Sequence, residues 1–174
     1  MATEFHTHPA NGQSTFTPTR LNLTDSPIAA KSLKYIASAS RVIIADSTIP
    51  TATQDLVMLR ASQINGCGFC TDVHTKDAAH AGETPTRINL VAAWRESNVF
   101  TDAERAALEL SEQGTRIADA AGGVTDDAWA NAAKYYDEEQ LAALTLFIAL
   151  INATNRIGVI TRQHGGDYQP GQFG

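Results

Sequence analysis

Between Asp25 and Arg162 the chain is punctuated by helix starts and stops, and no stretch alternates apolar and polar residues as a half-buried strand does. That restricts it to an all-α fold. Asp25 or Ser26 can cap a helix that Pro27 opens and that carries Ile28, Leu33, Ile36 and Ile43. A second helix is predicted from Thr51 toward Gly66, with Leu56, Leu59 and Gln63 on one side and Val57 and Ile64 alongside. Asn65-Gly66, the pair most tolerant of a left-handed cap, ends it. A third runs from about Gly68 to Gly82. Thr84-Pro85 starts a fourth, and Thr101 with Glu104 forms a capping box for a fifth, whose apolar face is Ala103, Ala107, Leu110 and Ile117, interrupted by Gly114.

After "AGGVTDD" a shorter helix carries Trp129 and Tyr135. Asp137 with Gln140 then caps the longest and most buried element, whose stripe of Leu141, Leu144, Ile148 and Ile151 continues through Asn152 and Asn155. Amides on a core-facing stripe need partners, and hydrogen bonding between helices or subunits accounts for them more simply than catalysis. The tail "HGGDYQPGQFG" reads as loop.

Residues 1–24 are rich in Thr, Pro and Asn without helical period. They read as an arm, mobile unless tied down, ahead of one domain at 25–174, and His6 and His8 there read as solvated rather than metal-binding. The net charge of −6, without a basic block, excludes a phosphate-backbone partner such as nucleic acid. No apolar run reaches the ~18 residues of a membrane span and no export signal is visible, so a cytoplasmic, reducing location is expected.

In that setting the only two cysteines, Cys67 and Cys70, are better suited to chemistry than to structural bridging. With a helix starting near Gly68, Cys67 falls at the N-cap and Cys70 in the first turn, where the helix dipole favours a thiolate. Three residues apart, the two sulfurs can close a disulfide. His74 lies one turn after Cys70 on the same face, able as imidazole to take a thiol proton or as imidazolium to stabilise a thiolate. Asp55, Asp72 and Asp77 are the carboxylates available to fix its tautomer. Two alternatives stay open: a zinc site completed by His74 and His80, and a pair of inert buried thiols.

"LVMLRASQINGCGFCTDVHTKDA" resembles the core motif of the AhpD-like alkylhydroperoxidase and carboxymuconolactone decarboxylase superfamily, and "LINATNRIGVITR" resembles its closing helix, so the likeness spans residues 25–162. The resemblance implies an all-helical AhpD-like domain that assembles into homo-oligomers, trimers or hexamers, through helix packing. It also implies thiol peroxidase chemistry of the peroxiredoxin kind: Cys70 attacks the peroxide and becomes a sulfenic acid, and Cys67 resolves it. Family peroxidases place a glutamate twelve residues before the first cysteine, paired with the histidine matching His74; Asp55 stands there, one methylene shorter. Phe69 stands where the best-studied type has a histidine.

The expectation is therefore an antioxidant oxidoreductase with Cys70 as nucleophile, Cys67 resolving, His74 as base or shuttle and Asp55 orienting it. It would take a peroxide and an external dithiol, lipoylated or thioredoxin-like, and need no cofactor or metal. Lactone decarboxylation and a non-catalytic redox-sensing oligomer are the alternatives; the decarboxylase branch typically lacks the paired cysteines.

Overall fold

The computed structural model describes residues 17–120 and 122–172, and the helix starts fall where the caps place them. Among the described residues there is no strand. Within them seven α-helices follow one another: α1 (Pro27–Asp46), α2 (Thr51–Ile64), α3 (Gly68–His80), α4 (Pro85–Leu90), α5 (Asp102–Thr115), α6 (Asp126–Ala132) and α7 (Glu138–Thr161), with 3-10 turns at Leu23–Asp25 and Val91–Glu96. Ser26 Oγ accepts from the Ala29 amide, Thr84 Oγ1 from the Arg87 amide, and both capping boxes are closed in each direction. His6 and His8 lie outside the described residues.

α2 is the hub. Thr53, Asp55, Leu56, Val57, Leu59, Ala61 and Ser62 are all buried, so the helix is enclosed on every side rather than along one stripe, against α3, α5 and α7. One half of the core packs Val57 with Leu110, Tyr136, Leu144, Phe147 and Ile148. The other packs Leu56 and Leu59 with Ile88, Trp94, Phe100 and Leu108.

Two predicted positions fall outside their helices. Gly114 lies where α5 meets α7 so closely that a Cβ on it would come within 3.0 Å of Ile148 Cγ2. α5 ends one residue later, which leaves Ile117 beyond the helix and 58% exposed. Tyr135 likewise sits in the turn after α6, while Trp129 is within it. By length and composition α7 is apolar enough to cross a membrane, contrary to the expectation from run length. Its contacts with α1, α2, α3 and α5, and its buried Asn152 and Asn155, are those of a core helix.

α1 differs from the rest in having no buried residue. Leu33, Ile36 and Ile43 are half-buried, while Ile28, Tyr35 and Val42, seven apart and therefore on one face, are 78%, 65% and 59% exposed.

Both ends of the described chain are tied down near the end of α7 and along α3. The Arg20 amide donates to Thr161 O at 2.9 Å, and Gln163 Nε2 to Leu21 O at 3.1 Å. The C-terminal tail is loop but docked: Asp72 Oδ2 accepts from the Gly166 and Tyr168 amides, Lys76 Nζ donates to the carbonyls of both, and Tyr168 Oη donates to Asp77 Oδ1 at 2.8 Å.

Candidate active site

The local sequence puts the cysteines at a corner between two helices. α2 closes with Gly66 in the left-handed region (φ 64°), the Gly66 amide donating to Gln63 O and the Cys67 amide to Ser62 O, so the chain turns directly into α3. Cys67 is then the N-cap of α3, where its Sγ accepts from the Cys70 amide at 3.3 Å. Both residues are buried, with Ala61 and Ile151, and half-buried Phe69 packs against the group. Phe69 thus supplies apolar cover where a histidine would supply a proton.

α7 completes the corner from above. Asn65 Nδ2 donates to Asn155 Oδ1 at 2.9 Å, which orients the amide so that Asn155 Nδ2 donates to Ser62 Oγ at 3.1 Å, and the same side chain lies beside both sulfurs and favours their charged forms. Asn152 joins in, accepting from Asn65 and donating to Thr115 Oγ1 at 3.0 Å. The helix-to-helix role expected of these amides is therefore present, but Asn155 also touches the thiols, a role its place on a core stripe did not reveal. One turn on, Gly158 lets α7 approach: a Cβ there would lie 2.8 Å from Cys67 Sγ.

These donors separate the two thiols electrostatically. The Cys70 thiol donates to Cys67 Sγ and lowers its pKa most; burial opposes, and the Cys70 amide, Asn155 side chain and Phe69 amide add to the lowering, bringing Cys67 to about 7. Cys70, as donor to that sulfur, buried and beside its negative charge, is pushed up. The two thiols therefore titrate as a pair rather than as independent groups.

His74 follows Cys70 by one turn, and burial pushes it down to about 4. It is neutral at neutral pH, which leaves proton acceptance and removes the imidazolium role. Asp55, buried in α2, is raised to about 7 by burial and then by the charges of Asp77 and Glu83. Among the described residues no hydrogen bond joins Asp55 to His74. Asp72 and Asp77 are taken by the C-terminal tail and do not serve the histidine. His80 is exposed at the end of α3, and among the described residues no three His, Cys, Asp or Glu side chains converge on a metal position.

Over the Cys67 side lies an open cleft of about 620 Å³, walled by Thr71 and Thr75 of α3 and by Gly158, Arg162 and His164 at the end of α7.

Comparisons with known proteins agree with this architecture. Residues 30–113 match the carboxymuconolactone decarboxylase family. The uncharacterized protein YdfG of Bacillus subtilis is 44% identical over 113 residues, 65% of this chain and 76% of its own length. The crystal structure of ATU0492 from Agrobacterium tumefaciens, a protein of unknown function assigned to antioxidant defence as an AhpD candidate, superposes with a TM-score of 0.78 at 36% identity over 87% of this chain and all of that one. The debrominase Bmp8 shares the fold, with a TM-score of 0.71 at 20% identity over 83% of this chain and 75% of its own. The chain belongs to the AhpD-like and carboxymuconolactone decarboxylase superfamily.

Proposed function

We propose that the protein is a thiol-dependent peroxidase-like oxidoreductase in which Cys67 and Cys70 cycle between dithiol and disulfide. The observation that carries this reading is the pairing of the two buried cysteines at the N-terminus of α3, where Cys67 Sγ accepts from the Cys70 amide at 3.3 Å beneath an open cleft. The helix start favours a thiolate there and keeps the second thiol one turn away. Neutral His74 accepts a proton during turnover, and Asp55 orients it through a water or a small helix shift, since no hydrogen bond joins the two among the described residues. An external dithiol, lipoylated or thioredoxin-like, reduces the disulfide, which suits a reducing compartment such as the cytoplasm.

The test is peroxide consumption with a dithiol donor. Cys67→Ser and Cys70→Ser should each abolish turnover; wild-type rates in both would overturn the proposal. Stoichiometric oxidation without turnover would indicate a redox sensor instead. Conversion of a γ-carboxymuconolactone that survives loss of both cysteines would indicate lactone chemistry.

The protein acts as a homo-oligomer, trimer or hexamer, with the Ile28, Tyr35 and Val42 stripe of α1 as a contact face. An exposed apolar stripe of that length is costly in water, and a second copy covers it. Tyr35→Glu should shift the sedimentation profile toward the monomer.

A further inference from the structure

A second cleft, of about 530 Å³, opens where α5, α6 and α7 meet, and neither cysteine lines it. Leu110 and Ile148, from one half of the core, form its wall with Val124, while Ile117 and Trp129 stand in it largely exposed. Its neutral polar side chains are satisfied within the fold. Thr145 Oγ1 donates to Leu141 O at 2.8 Å, and Asn152 Nδ2 donates to Thr115 Oγ1 and to Ile148 O. Arg156 is the one charged residue of the wall among the described residues, and its guanidinium is held from one side only. Nη1 donates to the Asn152 carbonyl and to Asn152 Oδ1, both at 3.1 Å, and among the described residues the group makes no ion pair. That leaves without a protein acceptor the edge formed by Nε and Nη2, whose two N–H bonds run parallel and match the two oxygens of a carboxylate.

We infer that this cleft binds a medium-chain monocarboxylate, its acyl chain on the apolar wall and its carboxylate paired with Arg156. The site is separate from the cysteine corner, and its occupancy requires no turnover there. An apolar wall by itself accepts any oily body, and Arg156 decides among them. In a chain of net charge −6, an unpaired cation at the end of an apolar trough favours an anion with an apolar tail, and no acidic side chain lines the cleft to repel one. Ala149 and Arg156, seven residues apart, share a face of α7 over about 10 Å of its axis, the reach of a medium-length acyl chain. The volume is that of a small-molecule site.

The protein carries its own reporter of this site. Of its two tryptophans, Trp94 is buried in the other half of the core at 3% exposure, whereas Trp129 lines the cleft at 45%. A ligand seated there removes the Trp129 indole from water and leaves Trp94 as it was.

The test titrates decanoate, and uncharged decanol beside it, into the whole chain, read by tryptophan emission and by calorimetry. Decanoate should bind saturably and shift the emission of wild type; Trp129→Phe should lose the emission change while calorimetry still records binding. Ala149→Phe fills the cleft from an exposed position on α7 and should weaken both ligands by about tenfold. Arg156→Gln should weaken decanoate about fivefold and decanol by less than about twofold, and Arg156→Lys should recover part of the loss. No binding of decanoate to wild type, or binding that Ala149→Phe leaves unchanged, overturns the site. Equal weakening of both ligands by Arg156→Gln overturns the anchor, and the carboxylate class with it. If decanoate does not bind and Ala149→Phe instead moves the sedimentation profile toward a smaller species, a second copy covers the cleft and the proposal falls.

Discussion

Along the contact between α2 and α3, two buried acids respond to shelter in opposite ways. Cys67, encircled by donors from Cys70, Asn155 and Phe69, is driven down to about 7; Asp55, whose carboxyl makes no hydrogen bond among the described residues, is driven up to about 7. Removal from water raises the pKa of a neutral acid such as a carboxyl or a thiol, and donors aimed at the anion decide whether that is reversed. Burial acts on the cationic form of His74 in the opposite sense, holding the imidazole neutral, and no compensating partner enters its shift.

The largest expected effect comes from making Cys67 resemble Asp55. Asn155→Ala removes a donor to both sulfurs and strands Asn65 and Ser62, so it should cost about 3 kcal/mol in denaturant unfolding and raise the Cys67 pKa in a thiolate absorbance titration. Gly158→Ala comes next. Its methyl would meet Cys67 Sγ at 2.8 Å, and the expected cost is about 2 kcal/mol with slower alkylation of Cys67.

Asp55→Asn tests the other side. Because burial raises Asp55 from its ordinary 3.8 to about 7, the folded chain keeps a proton that the unfolded chain has lost, and stability falls as pH climbs through that window. The variant should match wild type near pH 4 and exceed it at pH 8 by about 1–2 kcal/mol, read as melting temperature against pH. An advantage at acid pH instead would mean that Asp55 is held as an anion like Cys67. The smallest effect is outside both groups: Tyr168→Phe removes the bond to Asp77 and should cost about 1 kcal/mol, with faster hydrogen exchange in the tail.

Much of this arrangement is legible in local sequence, because it depends on residues three or four apart. Ser26, Thr84, Thr101 with Glu104, and Asp137 with Gln140 cap where they should, and Cys67 and Cys70 take the N-cap and first turn of α3. What escapes the sequence depends on partners far along the chain. Asn155 reaches the sulfurs from α7, across a separation that periodicity does not encode. Asp72 and Asp77 look available to His74 until the tail of Gly166 and Tyr168 claims them. The spacing of Ile28, Tyr35 and Val42 predicts an apolar face but cannot say which chain covers it.

The asparagine clasp between α2 and α7 also has a meaning for synthesis. Asn65 and Asn155 are 90 residues apart, and α7 follows the other helices among the described residues. Until α7 has docked, Cys67 therefore lacks both its Asn155 neighbour and the Gly158 wall of the cleft. The lowered pKa of Cys67 is thus acquired only when α7 docks on α2, late in folding rather than in the local sequence around the cysteines.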